Sequence, residues 1–217
     1  MKLTSQSIQD NQPIAGQFAF CIPNDKSHVC LGSNISPALS WADAPAGTKS
    51  FAVLCVDPDV PSVGDNVNLE DRVVAADLPR VDFYHWVLID LPATTQSLTA
   101  GQFSSEVTPC GKAGPGAPLG SRQGINDYTA WFANDPDMRG DYYGYDGPCP
   151  PWNDLRVHRY VFTVYALDVE KLAVSGKFNG GDVIEALKGH ILGQAAITGT
   201  YTLNAALLSN LETSGHQ

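Results

Sequence analysis

The chain has 217 residues, with 13 Lys and Arg against 23 Asp and Glu, so its formal net charge is −10; 43% of its residues are hydrophobic. A chain of this length and apolar content can bury one sizeable core, which excludes disorder and predicts a single domain over residues 1–217. It has no run of about 20 apolar residues, so we expect no membrane insertion. Its acidic balance argues against nucleic-acid or anionic-membrane partners, because phosphate groups recruit clustered Lys and Arg.

The amino terminus and the cysteines both bear on the compartment. The first residues, MKLTSQSIQDNQPI, carry a single Lys followed by polar residues where a signal peptide has its apolar stretch. The five cysteines are an odd number at irregular spacing without a C-x-x-C pair, which favours reduced thiols. A bridge between Cys21 and Cys30 is the alternative. These features predict a cytoplasmic protein.

Three continuous apolar runs predict the core strands: residues 51–56 (FAVLCV), 86–89 (WVLI) and 160–167 (YVFTVYAL). Such runs, rich in β-branched and aromatic residues, are typical of strands that are covered on both faces. Parallel strands need long, usually helical crossovers, and the segments between these runs show little helical periodicity. We therefore expect a mainly β protein, built as an antiparallel β-sandwich.

One helix and one further strand are predicted near the carboxyl end. Residues 182–192 have an apolar face, with Asp182 and Glu185 as a capping box and Gly193 at the end of the helix. Residues 196–203 (AITGTYTL) alternate between apolar and polar, which indicates a half-exposed edge strand.

Polar residues flank each of the core runs at one end only. The first run leads into Asp57 and Asp59, whereas His85 and His158 precede the other two. If the first strand is antiparallel to the others, these four side chains meet at one rim, as in a small-ligand pocket. The alternative for each residue singly is that a strand-end Asp or His satisfies backbone groups of a turn.

The segment 142–151 (YYGYDGPCPP) is dense in Tyr, Gly and Pro, and could form a rigid pocket wall or a stiff surface loop. No P-loop, G-x-S-x-G or H-E-x-x-H motif is present, so we expect no cofactor. Cys21, His28 and Cys30 do not have the spacing of a zinc site, so no metal is expected there.

Several motifs together resemble those of the phosphatidylethanolamine-binding protein family, also called Raf kinase inhibitor-like proteins, and in particular its bacterial and archaeal branch. They run in the family's order from about Cys30 to Tyr201. They are C-x-G-x-N-x-S-P-x-L-S-W at 30–41, VDPDVPS at 56–62, His85-Trp86, QGINDY at 123–128, GPCPP at 147–151 and His158-Arg159-Tyr160.

This resemblance implies a β-sandwich with a large central sheet, a smaller sheet and one or two short carboxyl-terminal helices. It also implies a small anion pocket at one end, which takes phosphate-like groups and phospholipid headgroups. The pocket residues of the family correspond here to Asp57, Asp59, His85, Pro150, Pro151, His158 and Tyr160.

The resemblance further implies a binding or regulatory protein rather than an enzyme, with a small phosphorylated or carboxylated ligand and a homodimeric state. Two other functions stay open. One is a protein-interaction module that inhibits a kinase or protease. The other, less favoured, is a metal-dependent hydrolase, because two His and one or two Asp could hold zinc or iron.

The chain departs from the family's pattern in three places. A long acidic segment lies between Pro61 and His85, and the spacing from Pro151 to His158 is one residue wider than in the animal proteins. Both are expected to border the pocket. The tail 204–217 has no counterpart in the pattern and is predicted to be flexible or to pair with a partner chain.

Overall fold

The computed structural model describes residues 1–208. Helix α1 covers Tyr128–Trp131 and helix α2 covers Gly180–Leu187, and short 3-10 turns lie at Gly16–Phe18 and Pro118–Gly120. Its strands are β1 (Lys2–Thr4), β2 (Gln12–Pro13), β3 (Cys21–Asn24), β4 (His28–Leu31), β5 (Leu39–Ala42), β6 (Ser50–Pro61), β7 (Arg80–Pro92), β8 (Ser97–Leu98), β9 (Arg122–Gln123), β10 (His158–Leu167) and β11 (Ile191–Tyr201).

The strands form the predicted sandwich of a large and a smaller sheet. The six-stranded sheet has the order β2-β11-β10-β6-β7-β9, and the three-stranded sheet has the order β1-β5-β8. A hairpin of β3 and β4 stands apart. Strand β6 pairs antiparallel with both β7 and β10, as predicted. The fold class is therefore confirmed.

The middle parts of the central strands are apolar because the large sheet is covered on both faces there. Phe51, Val53 and Cys55 of β6 face the core between the two sheets. The alternate residues Ala52 and Leu54 pack in a second cluster on the other face, with Val183 and Leu187 of α2 among its members. All three predicted strands are confirmed, and each is longer than its apolar run.

The predicted boundaries of the late helix were wrong. Helix α2 begins at Gly180, because Asn179 is its N-cap and forms the capping box with Asp182. A β-carbon on Gly180 would lie about 2.2 Å from the ring of Tyr84, so glycine allows this end of the helix to pack on the sheet. The helix ends at Leu187, and from Ile191 the chain pairs with β10, which overrides the local helical pattern.

The prediction of five reduced cysteines was wrong, because Cys21 and Cys149 form a disulfide. The alternative bridge to Cys30 was wrong as well. Cys30 pairs with Ile22 in the β3–β4 hairpin, so its side chain lies on the opposite face from that of Cys21. The segment around Cys149 runs beside β3, where the carbonyl of Pro148 accepts hydrogen bonds from the amides of Phe20 and Cys21.

The carboxyl end is ordered further than predicted. Asn204 is buried, and its Nδ2 donates to the carbonyl of Asp154 at 2.9 Å. Residues 205–208 form a helical turn. The remainder of the predicted flexible tail lies outside the described residues. Within residues 1–208, no helix has the length and apolarity to cross a membrane.

Candidate functional site

The antiparallel pairing brings the predicted rim residues to one end of the large sheet. There the chain encloses a cavity of about 290 Å³. Asp57, His85, His158 and Tyr160 line its inner part and are at most 3% exposed. Apolar side chains form most of the remaining wall, and the exposed residues Leu31 and Trp131 lie at its mouth.

His158 lies between two carboxylates. Its Nδ1 is 2.7 Å from Oδ2 of Asp57, and its Nε2 is 3.0 Å from Oδ2 of Asp154. Burial opposes a charge here, but hydrogen bonds from the ring to Asp154 and Asp57 outweigh it and raise the pKa of His158 to about 9. Both nitrogens therefore donate, and the imidazolium neutralises the buried carboxylate of Asp57.

Three arginines surround this centre. Arg80 donates to both carboxylate oxygens of Asp154, at 2.6 and 3.0 Å. Asp59 accepts from the side chains of Arg156 and Arg159, and these bonds lower its pKa although burial alone would raise it. The whole group has three carboxylates and four cations with His158 protonated, so its formal charge is +1.

Asp59 therefore stands apart from the other predicted site residues. Its oxygens accept from Arg156 and from the backbone and side chain of Arg159, and it does not line the cavity. Asp154, which the sequence analysis missed, contacts His158 directly. The only signal for it was its position four residues before that histidine.

His85 presents a free nitrogen to the cavity. Its Nδ1 lies 2.7 Å from the backbone carbonyl of Asp146, which can only accept, so Nδ1 carries the proton. Nε2 has no hydrogen-bond partner among the described residues. Burial lowers the pKa of His85, and the charge of His158 lowers it further, while the carboxylates of Asp57 and Asp146 partly offset this. Neutral His85 thus offers an acceptor, and protonated His85 a donor.

The hydroxyl of Tyr160 is the second unpartnered group at this end. It is fully buried, lines the cavity and forms no hydrogen bond of normal geometry within residues 1–208, although the Asp57 carboxylate lies close enough to interact with it. Burial raises its pKa well above 10, and the neighbouring Asp57 carboxylate adds to this, so the hydroxyl stays protonated. A buried donor without a partner costs roughly 1–3 kcal/mol, which a ligand oxygen would recover.

The predicted rigid wall is present. Pro150 and Pro151 line the cavity, together with both cysteines of the Cys21–Cys149 disulfide. The carbonyl of Gly147 accepts from the hydroxyl of Tyr128 at 2.8 Å. Proline geometry, the disulfide and this hydrogen bond together fix the wall in place.

The acidic segment does border the cavity, as expected. We call residues 62–79 the strap; Gly64, Val67 and Asn68 of the strap line the cavity. The side-chain amide of Asn153 holds the strap in place. Nδ2 of Asn153 donates to three strap carbonyls, and Oδ1 accepts from the backbone of Asn68. Sequence alone did not indicate this anchor, since Asn153 lies about 80 residues away.

Among the described residues, no group of three or more His, Cys, Asp and Glu side chains is arranged to hold a metal ion. The hydrogen bonds explain this for His158, because both of its nitrogens donate to carboxylates. The Asp and His residues of the rim thus form ion pairs and leave His85 as the one histidine with a free ring nitrogen at the cavity.

Known proteins match the chain over most of its length. The sequence model described as phosphatidylethanolamine-binding protein matches residues 4–202. The Escherichia coli protein YbhB is 33% identical over 202 residues, which are 93% of this chain and 100% of YbhB. A protein of Methanothermobacter thermautotrophicus is 36% identical over 80% of this chain and 87% of its own length.

The fold is also similar to solved structures. The crystal structure of E. coli YbcL, described as a new member of the mammalian PEBP family, superposes with a TM-score of 0.66 and 29% identity. The match covers 93% of this chain and 97% of YbcL. The resemblance seen in the motifs is therefore confirmed over nearly the whole described chain.

Proposed function

Because the chain belongs to the phosphatidylethanolamine-binding protein family, we propose that it is a non-enzymatic binding protein for a small phosphorylated or carboxylated ligand. The observation that carries this is the pair of unpartnered groups at the buried end of the cavity, Nε2 of His85 and the hydroxyl of Tyr160. Hydrogen bonds to a charged ligand oxygen are among the stronger ones in proteins.

The local charge supports an anion. The group of Asp57, Asp59 and Asp154 with its four cations is formally +1, whereas the whole chain is −10. The buried part of the group, Asp57 and Asp154 with His158 and Arg80, is formally neutral and little screened by salt. The excess positive charge is on the partly exposed Arg156 and Arg159, so a ligand in the cavity meets a less negative field than the charge of the whole chain suggests. The Asp57 carboxylate, which an anion in the cavity would face, is hydrogen-bonded to the imidazolium of His158, and this positive charge offsets its negative charge.

The cavity walls favour an organic anion over an inorganic one. Phe20, Phe83, Phe132 and Met138 line the space beyond the polar end. An apolar substituent on the phosphate or carboxylate would be removed from water there, which is favourable in proportion to the area buried.

The state of His158 supports a binding role over hydrolysis. A general base must hold a free lone pair, and His158 carries protons on both nitrogens at neutral pH because its pKa is about 9. Its carboxylate partners are held in ion pairs. These contacts organise charge and make His158 unavailable as a base. The free lone pair in the cavity, on Nε2 of His85, is the one that we assign to ligand binding.

Calorimetry with inorganic phosphate and phenyl phosphate, at pH 6 and pH 8, tests the proposal. We expect both to bind more tightly at pH 6, because protonated His85 donates to the anion, and phenyl phosphate to bind more tightly than phosphate. His85→Ala and Tyr160→Phe should each weaken binding about 10-fold to 100-fold, the value of a hydrogen bond to a charged group.

His190→Ala is the matched control, since His190 is partly exposed and pairs with Asp168 away from the cavity. It should bind like the wild type. Unchanged affinity in both His85→Ala and Tyr160→Phe, or no binding by the wild-type protein at either pH, would contradict the proposal.

Inhibition of a kinase or protease is the second candidate. Leu31 and Trp131 are 60% and 53% exposed, and both line the cavity at its mouth. Exposed apolar residues grouped in this way mark protein contacts. Inhibition that survives His85→Ala and is lost on Trp131→Ala would support this function.

Location and assembly stay predictions. The cytoplasmic prediction rested partly on reduced thiols, and the Cys21–Cys149 disulfide removes that support, since disulfides persist mainly in oxidising compartments. A homodimer is expected from the prevalence of symmetric dimers among soluble proteins. Analytical ultracentrifugation would test it.

A further inference from the structure

Asp146 lies at the centre of a buried polar cluster next to His85. Its carboxylate is 0% exposed. Oδ1 accepts from Nδ2 of Asn34 at 2.7 Å and lies 2.9 Å from Nζ of Lys112, and Oδ2 accepts from Nδ2 of Asn126 at 2.7 Å. Three donors from three separate segments therefore hold one carboxylate.

Lys112 is itself largely buried, with 13% of its side chain exposed. Its ammonium also donates to the carbonyl of Tyr145, so it holds two consecutive residues of the same segment. Burial lowers the pKa of Lys112, and the Asp146 carboxylate opposes this. A buried ion pair of this kind is weak evidence for stability, because desolvation offsets much of the attraction.

The cluster continues directly into His85 through the backbone of Asp146. The amide of Asp146 donates to the carbonyl of His85 at 3.0 Å, and its carbonyl accepts from Nδ1 of His85 at 2.7 Å. The two residues are thus joined by a reciprocal pair of bonds. The second bond fixes the ring so that Nε2 is the nitrogen left for a ligand.

We propose that Asp146, clamped by Lys112, is a positioning residue of the candidate site: its backbone holds His85 in the Nδ1–H tautomer with Nε2 left for a ligand, and its carboxylate favours protonation of that nitrogen. This inference rests on the proposed function for its consequence, ligand affinity. The orientation and titration of His85 can be measured without any ligand.

Other groups that face His85 also influence its protonation. The carboxylate of Asp57 on β6 favours protonation more strongly than that of Asp146, and His158 on β10 is the cation that opposes it. The rings of Phe83, Tyr128 and Tyr160 pack against the imidazole at 4.8 to 5.5 Å between centroids and carry no charge. Removal of the Asp146 charge leaves Asp57 as the carboxylate that favours protonation of His85, and it also leaves the Lys112 ammonium without its carboxylate partner.

The test is a titration of ¹⁵N-labelled histidine by NMR in the full-length protein without ligand. In the wild type we expect His85 to show the Nδ1–H tautomer. In Asp146→Asn the midpoint of His85 should fall by about 0.5 pH unit or more, the size of effect that one nearby charge produces. Phosphate affinity at pH 7 should then fall about threefold or more.

Asp90→Asn is the matched control. It breaks another buried ion pair, with Arg122 at 2.5 Å, on the far part of β7. It should destabilise the protein and leave the His85 midpoint unchanged. If Asp146→Asn does not fold, the double variant Lys112→Met with Asp146→Asn avoids an unpaired buried ammonium. It removes one charge of each sign, so its His85 midpoint is compared with that of Lys112→Met, relative to which it should fall.

An Nε2–H tautomer of His85 in the wild type, an unchanged His85 midpoint in Asp146→Asn, or an equal shift in Asp90→Asn would overturn the proposal. A failure of the proposed function would give a different result. If the midpoint shifts as expected and neither phosphate nor phenyl phosphate binds the wild type, Asp146 positions His85 and the ligand class is wrong.

Discussion

Two histidines at the inner end of the cavity, His85 and His158, differ in their protonation although both lie on the same rim. His158 is held charged by two carboxylates, and His85 is biased toward the neutral form by burial. The sequence predicted that both would lie at the rim. It could not predict this difference, because Asp154 and the carbonyl of Asp146 reach the rings only in the folded chain.

The charge of His158 makes stability depend on pH. Its pKa is about 9 in the folded state against an ordinary value of 6.5, so the folded state binds the proton more tightly. The resulting stabilisation is fully present below about pH 6.5 and is lost as pH rises through 9. We expect the free energy of unfolding to fall by on the order of 3 kcal/mol over that range.

Urea unfolding at pH 6, 7.5 and 9 measures this change. His158→Asn should be less stable than the wild type at pH 6 and should lose much less stability up to pH 9. A wild-type free energy of unfolding that stays constant between pH 6 and pH 9 would contradict the ion-pair geometry.

At the scale of elements, the central strands were predictable because burial on both faces leaves a continuous apolar run. Asp57, His85 and His158 follow from them, since antiparallel pairing alone brings those strand ends together, whereas Tyr160 was predicted only from the resemblance to the family. The end of α2 was not predictable, because pairing of Ile191 with β10 decides it.

The capping box of α2 gives a prediction for this element. The side chain of Asn179 accepts from the amide of Asp182 at 3.0 Å, and the Asp182 carboxylate accepts from the amide of Asn179 at 2.9 Å. Asn179→Ala should lower the free energy of unfolding by about 1 kcal/mol, because the first turn loses a satisfied amide.

Lys188→Ala serves as the comparison at the other end of the same helix, since its pair with Glu185 is exposed. It should change stability by less than about 0.5 kcal/mol in urea unfolding. Equal effects of the two substitutions would show that the cap does not stabilise α2.

For the whole molecule, the sequence predicted one domain and missed its covalent link. The two bonded cysteines are 128 residues apart, and neither spacing nor number distinguishes them from Cys30, Cys55 and Cys110. The link joins the β3–β4 hairpin to the cavity wall. The pairing of Cys21 with Cys149 depends on the fold, in which the backbone of Cys21 lies beside that of Pro148.

Removal of this link should destabilise the folded state. In the chain-entropy view, a crosslink over a long loop restricts the unfolded chain and contributes about 2–4 kcal/mol. We expect Cys21→Ala with Cys149→Ala to lower the urea midpoint, and dithiothreitol to lower the wild-type midpoint to the same value. A variant whose midpoint equals that of the oxidised wild type would contradict this expectation.

The free Nε2 of His85 also has a consequence for the heat of binding. Near neutral pH the buried ring is largely unprotonated, so an anion that binds as proposed brings a proton with it from the buffer. Association is then a coupled uptake of ligand and hydrogen ion. Its measured enthalpy should differ between phosphate-free buffers of high and low ionisation enthalpy, and the slope gives the number of protons bound per ligand.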